Sequence, residues 1–245
     1  MGEGETLKQH LAKEHRISPF QTYLKEIVYG GTDGIVTTFA VVAGFTGAQS
    51  GNVPGYSVLT VLLFGFANLF ADAASMGLGN FLSLRAEKDV YKKEEAKELH
   101  EIQTNAQMEK EETIDILQNK GFSENNARQL TEIYATNESY WLSFMMSHEL
   151  EMPNPTGENP FYTAIATFFS FLSFGFIPLI PYLLQRTSPL VFMYSCIATG
   201  SALVLLGILR WRITRETVAR SVFEILLLGG TAASIAYLVG TLFRL

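Results

Sequence analysis

One cysteine, Cys196, stands in 245 residues, so neither an intramolecular disulfide nor a Cys-based zinc site is available within one chain. Any metal chemistry has to use oxygen, nitrogen or thioether ligands. Charge is missing over long stretches. Residues 161–184, 190–209 and 225–243 contain no Asp, Glu, Lys, Arg or His, and each is close to the roughly 20 residues that a helix needs to cross the hydrocarbon core. Length alone would allow one soluble domain, but the 48% of hydrophobic residues is gathered into blocks rather than spread at amphipathic spacing. The sequence also has no internal repeat and no low-complexity tract. Residues 1–19 are polar and offer no apolar core before a small-residue cleavage site, so the first apolar stretch is expected to be a membrane helix and not a cleavable signal.

Two further apolar stretches, about 27–48 and 54–84, are long enough to cross, and each carries a single interior acid, Asp33 and Asp72. The expected count is five spans. Basic residues gather before span one (Lys8, Lys13, Arg16, Lys25), in the long insert 85–160, which holds eight of them, and in the link 210–220 (Arg210, Arg212, Arg215, Arg220), whereas the link 49–53 has none. By the positive-inside rule, residues 1–26, 85–160 and 210–220 are expected on the cytoplasmic face and the C-terminus on the opposite one.

The insert 85–160 holds sixteen of the twenty-four acids, so the formal net charge of −6 owes most to it. Helix-forming composition continues from span two through Leu84–Gly121, where Gly121 is a plausible stop. Residues 123–126 (SerGluAsnAsn) can cap a second helix running to about Glu149, and the Pro-rich run 152–160 returns the chain to the membrane, which predicts a helical hairpin.

Glu98, Glu101, Glu109 and Glu112 form two Glu-x-x-Glu pairs. At about 100° per residue all four fall within an arc of roughly 80° on one helix; a break near Thr104 and Asn105 would instead make the pairs face each other from two helices. Either arrangement gathers oxygen ligands for a hard cation. The plainer reading is a solvated helix face with Lys92, Lys93, Lys97 and Lys110 as ion-pair partners. Further on, Met145 and Glu149 are four apart, which combines a soft thioether with a carboxylate on one face and would suit Fe²⁺ better than Mg²⁺ or Ca²⁺. Methionine at helical spacing is more often core filler, and a lone histidine such as His148 more often bonds locally.

Acids inside the membrane cost several kcal/mol unless they face a polar interior, pair, or bind a cation or proton. Asp33 sits in GlyGlyThrAspGly at 30–34, whose small residues allow close helix approach, with Thr32, Thr37 and Thr38 as hydroxyl ligands. On span two, Asn68, Asp72, Ser75 and Met76 follow i, i+4, i+7, i+8 spacing, which puts an amide, a carboxylate, a hydroxyl and a thioether on one face of an otherwise apolar helix.

The runs LysGluIleValTyrGlyGlyThrAspGlyIleValThrThrPheAlaValValAlaGly (25–44) and AspAlaAlaSerMetGlyLeuGlyAsnPheLeuSer (72–83), then the Glu-x-x-Glu pairs and the Met-x-x-x-Glu ahead of a Pro-Asn-Pro turn, resemble the vacuolar iron transporter family over nearly the whole chain. The resemblance implies an all-α protein with five transmembrane helices and a cytoplasmic helical metal-binding domain inserted between spans two and three. The expected layout is a cytoplasmic N-terminal segment at 1–26, helices one and two within 27–84, the acidic domain at 85–160 and helices three to five within 161–245. It also implies a homodimer that exports Fe²⁺, with Mn²⁺ and other divalent ions as further cargo, in exchange for protons. Asp33 and Met76 become pore ligands shared across a twofold axis, and Glu98, Glu101, Glu109, Glu112, Met145 and Glu149 the metal-binding positions. Glu26 becomes an acid that guides ions inward. Plant members carry a Glu eight residues before the Met where this chain has Asn68, an amide that takes up no proton; Asp72 is the candidate replacement, and which acid couples protons is left open.

The resemblance implies a secondary transporter and not an enzyme, with the ion as substrate, no prosthetic group and no nucleic-acid partner. The absence of a targeting peptide favours a bacterial plasma membrane slightly over a vacuole. Two rivals stand beside this. A membrane-anchored ferritin-like di-iron oxidase would use Glu-x-x-His motifs, which are absent. A non-transporting membrane scaffold would have no use for acids inside spans one and two.

Overall fold

A computed structural model describes residues 22–49, 58–157, 159–185, 188–214 and 216–243. The expected N-terminal segment up to residue 21 and the start of the predicted second span at 54–57 lie outside them. Every regular element among the described residues is a helix: α1 (Leu24–Ala48), α2 (Val58–Thr104), α3 (Ala106–Asn119), α4 (Glu124–Ala135), α5 (Glu138–His148), α6 (Pro160–Gly175), α7 (Ile180–Leu184), α8 (Val191–Thr214) and α9 (Val218–Leu242), with single 3₁₀ turns at Pro155–Gly157 and Ile177–Leu179. Five stretches are long and apolar enough to cross a bilayer: Leu24–Ala48, the first part of Val58–Thr104, Pro160–Leu184, Val191–Arg212 and Val218–Leu242. The chain is an integral membrane protein. Its spanning helices leave Leu59, Leu63, Phe70, Ile197, Leu205 and Phe223 more than half exposed, a surface that only lipid covers without cost.

The chain divides into two compact units, one of residues up to Asn80 together with Phe161 onward, the other Phe81–Pro160, and α2 belongs to both. In the membrane unit, α1 is central and packs against α8 and α9. The core there is built from Phe39, Val42, Leu69, Ala73, Phe171 and Leu179, with a second cluster of Ile35, Leu203, Leu206 and Ile225. Water supplies no hydrophobic drive between helices in lipid, so close backbone approach does the work. Gly34 lies against the Phe171 carbonyl of α6, and a Cβ on Gly175 would stand 2.7 Å from the Gly34 carbonyl. Arg210 at the end of α8 binds Glu224 of α9 at 2.9 Å and Glu216 at 3.5 Å, and Arg220 also reaches Glu224 at 2.9 Å.

In the inserted unit, Ile102, Leu117, Ala127, Trp141, Phe144 and Met145 form the core. The chain breaks at Asn105, which selects the second of the two arrangements open to the Glu-x-x-Glu pairs. Gly121 ends α3 with φ +99°, a left-handed conformation that glycine adopts without penalty. The Ser123 hydroxyl accepts the Asn126 N–H at 3.4 Å, as expected of a cap. The expected single helix to Glu149 is corrected: it is broken into α4 and α5. Asn137 starts a new helix by accepting the Tyr140 N–H at 3.1 Å, while the Thr136 hydroxyl turns back to the Ile133 carbonyl at 2.6 Å.

Gly34→Ala forces a methyl into the Phe171 backbone and is expected to cost about 1–3 kcal/mol, seen as a lowered thermal midpoint in detergent. Gly79→Ala, with nothing within 4 Å of the new methyl, should leave the midpoint unchanged or slightly raised. Equal midpoints for the two variants would contradict this packing.

Candidate metal centre

Because α2 stops at Thr104 and α3 restarts at Ala106, the two Glu-x-x-Glu pairs sit on separate helices, and α5 ends where Glu149 can join them. Glu98, Glu109 and Glu149 bring one carboxylate oxygen each within 4.8 Å of one another. Glu98 and Glu109 are only 2% and 4% exposed, while Glu149 faces solvent and leaves the cluster open on one side. Three oxygens converging in this way suit a divalent cation.

The electrostatics are those of a site short of positive charge. Burial, then the charges of Glu149 and Glu109, pushes the Glu98 carboxyl up to about 8. Glu109 is raised mainly by burial, against a hydrogen bond from Glu98 that favours its charged form. Glu149, exposed at its outer edge, is raised by the desolvation of its inner side and by the charges of Glu112, Glu109 and Glu101. Glu98 Oε1 and Glu109 Oε2 are buried with no hydrogen-bond partner. Unpaired buried carboxylate oxygens are costly, and a cation or a proton relieves them.

The other predicted ligands are placed less directly. Glu101 and Glu112 act on the cluster through charge, and Glu101 also pairs with Lys97 at 3.6 Å. Lys110 is drawn away to Glu132 at 2.7 Å. Met145 is fully buried in the core, and its Sδ accepts the Thr113 hydroxyl at 3.2 Å. His148 stacks on Phe144 with centroids 4.4 Å apart and has a ring nitrogen 3.1 Å from the Phe144 carbonyl, the local bonding expected of it. Two residues not anticipated from the sequence are Thr113 and Trp141, which bond each other at 2.8 Å beneath the cluster.

In the membrane unit, Asp33 on α1 and Asp72 on α2 are both half-buried and near enough for their charges to interact. The Asn68 amide donates to Asp72 Oδ2 at 2.7 Å. Met76 is half-buried against the core, Ser75 is exposed, and Glu26 is buried at the start of α1. Of the three threonines, Thr37 is spent on the Asp33 carbonyl at 2.8 Å, while Thr32 Oγ1 and Thr38 Oγ1 are buried with no hydrogen-bond partner.

Residues 24–241 match the model of the VIT family. Among curated proteins, a vacuolar iron transporter of Toxoplasma gondii is 32% identical over 95% of this chain and 78% of its own length. Vacuolar iron transporter 1 of Arabidopsis thaliana is 30% identical over 96% and 91%, and a vacuolar iron transporter of Plasmodium falciparum is 34% identical over 90% and 82%.

Glu98 is protonated in the fold at pH values where it is ionised in the unfolded chain. The folded state therefore holds more protons, and metal-free stability should fall as pH rises from about 4.5 toward about 8. Glu98→Gln removes the buried charge and should flatten that decline in thermal midpoint. A wild-type midpoint that rises across the window would contradict the cluster's electrostatics.

Proposed function

Since the chain belongs to the VIT family, we propose that it is a membrane transporter that carries Fe²⁺, with Mn²⁺ as a further cargo, out of the cytoplasm in exchange for protons and works as a homodimer. The observation that carries the reading is the convergence of Glu98, Glu109 and Glu149 with two buried, unpartnered carboxylate oxygens. Relatives of similar length that bear the name vacuolar iron transporter support iron as the cargo. Their names are of vacuolar proteins and give the plasma-membrane expectation no support; export from the cytoplasm is the same direction across either membrane.

The acidic unit collects the ion on the cytoplasmic face, an orientation supported by the distribution of Lys and Arg. Glu26 receives it at the mouth of α1. Asp33 and Met76, supplied by two protomers, coordinate it within the membrane. An apolar groove beside Asn68, lined by Ala40, Gly44, Ala48, Ala67 and Ala71 together with Phe45, Phe64, Val239 and Phe243, supports the dimer as a surface for a second copy to cover. Carboxylates bind metal only when deprotonated, so a proton arriving at Asp33 or Asp72 expels the ion and couples the two fluxes. Asn68 cannot carry that proton. Its amide instead donates to Asp72 Oδ2 at 2.7 Å and holds the Asp72 carboxylate in place. The oxidase reading loses support because both histidines of the inserted unit stand outside the carboxylate cluster.

In liposomes holding an iron-sensitive and a pH-sensitive dye, the purified protein should show Fe²⁺ movement coupled to opposite proton movement. Asp33→Asn should abolish it, with the protein still folded. Iron flux in Asp33→Asn equal to wild type would remove the centre of the mechanism.

A further inference from the structure

One turn beyond Met76 on α2, the membrane unit holds a polar chain that the transport scheme does not use. The Asn80 amide nitrogen donates to Thr167 Oγ1 of α6 at 2.8 Å, and Thr167 donates its own proton to the Thr163 carbonyl at 2.9 Å. Thr163 and Thr167 are buried, and Asn80 is half-buried. A hydroxyl has one proton, so with that proton on Thr163 the Thr167 oxygen can only accept. The bond therefore fixes which way the amide faces, with its nitrogen toward α6 and Oδ1 away from it. Among the described residues nothing else hydrogen-bonds to Asn80, which leaves Oδ1 a neutral oxygen with its lone pairs unused.

Two observations locate that oxygen. Along α2, Asp72, Met76 and Asn80 are each four apart and so follow one stripe of the helix. Across to α1, a Cβ on Gly30 would stand 3.0 Å from the Thr167 carbonyl, so α1 and α2 both meet α6 at Thr167. Gly30 lies between Glu26 and Asp33 and within about 60° of each around α1. An ion passing from Glu26 to Asp33 covers about 10 Å of helix rise and crosses the level of Asn80 on the way. Ser170, the hydroxyl next to Gly30, is already committed to the Ile27 carbonyl at 2.8 Å.

We infer that Asn80 is a transfer ligand, whose Oδ1, aimed by the bond to Thr167, receives the divalent cation between Glu26 and the Asp33–Met76 level. The inference rests on the transport reading. Amide oxygens ligate hard divalent cations. They take up no proton, so the ion passes this station without displacing one, and proton exchange stays with the acids on either side. An amide donor facing the route would repel the ion, which is why the orientation that Thr167 imposes matters.

The test uses the whole chain in liposomes loaded with an iron-sensitive dye, with initial Fe²⁺ rates read against concentration and thermal midpoints measured in detergent. Asn80→Leu removes both the oxygen and the bond to Thr167, whereas Thr167→Val removes the bond alone. Both should lower the midpoint by a similar amount. Asn80→Leu should also cut the maximal rate about tenfold, the factor that one contact of hydrogen-bond strength is worth, while Thr167→Val stays within about threefold of wild type. The half-saturating concentration should not move in Asn80→Leu, because the carboxylate cluster that captures the ion is untouched. Asn80→Ala carries the same expectation should leucine disturb packing. Equal rate losses in Asn80→Leu and Thr167→Val, or a wild-type rate in Asn80→Leu and Asn80→Ala, would reduce Asn80 to a clamp between α2 and α6 and overturn the inference. If wild type moves no Fe²⁺, the transport reading itself fails and the inference falls with it.

Discussion

Like charges brought together without a counter-charge are the constraint on which the inserted unit depends. Glu98 and Glu109 are almost completely shielded from water, and Glu149, Glu101 and Glu112 add negative potential around them. Positive charge near the group is scant: Lys110 binds Glu132, and Lys97, 3.6 Å from Glu101, offsets the raised Glu109 and Glu149 only in part. A fold that selected for stability alone would replace such residues with apolar ones of similar volume. Keeping them makes sense where a cation visits.

The backbone breaks are what bring the carboxylates together. A continuous helix through Asn105 would have spread Glu98 and Glu109 along one solvated face, with water on every carboxylate. Stopping α2 at Thr104 and ending α5 at His148 turns sequence-distant glutamates toward one point. The membrane unit meets the same problem with fewer acids. Gly34 and Gly175 let α1 and α6 approach closely next to Asp33, and Asn68 holds Asp72 with a neutral donor that adds no charge of its own. Both units thus keep acids poised instead of paired.

Much of this was legible in the residues. Three spans followed from uncharged runs and two from apolar runs with one interior acid each, all of them long enough to cross hydrocarbon as helices, and Gly121 and Ser123 announced the end of one helix and the start of the next. The break at Asn137 carried its own signal, an Asn cap followed by Glu138, but lay within an otherwise helical composition. Local spacing could not choose between one acidic face and two opposed pairs, because that depends on whether the helix survives Thr104–Asn105. Nor could it find Thr113 and Trp141, whose partners lie 28 and 32 residues away. Spacing put Met145 and Glu149 on one face without revealing that the sulfur is turned to a hydroxyl inside the core. Iron as cargo came from resemblance, and the names of the relatives support it.

Glu98, pushed up to about 8, holds its proton at pH 7, and a cation ligated by the cluster must expel it. The most direct measurement is the number of protons released per Mn²⁺ bound by the whole chain at pH 7, from paired calorimetric titrations in buffers of different ionisation enthalpy. About one proton per ion is predicted, because the carboxyls must be ionised to ligate, and Glu98→Gln should abolish the release. Tight binding with no proton released from wild type would contradict the account.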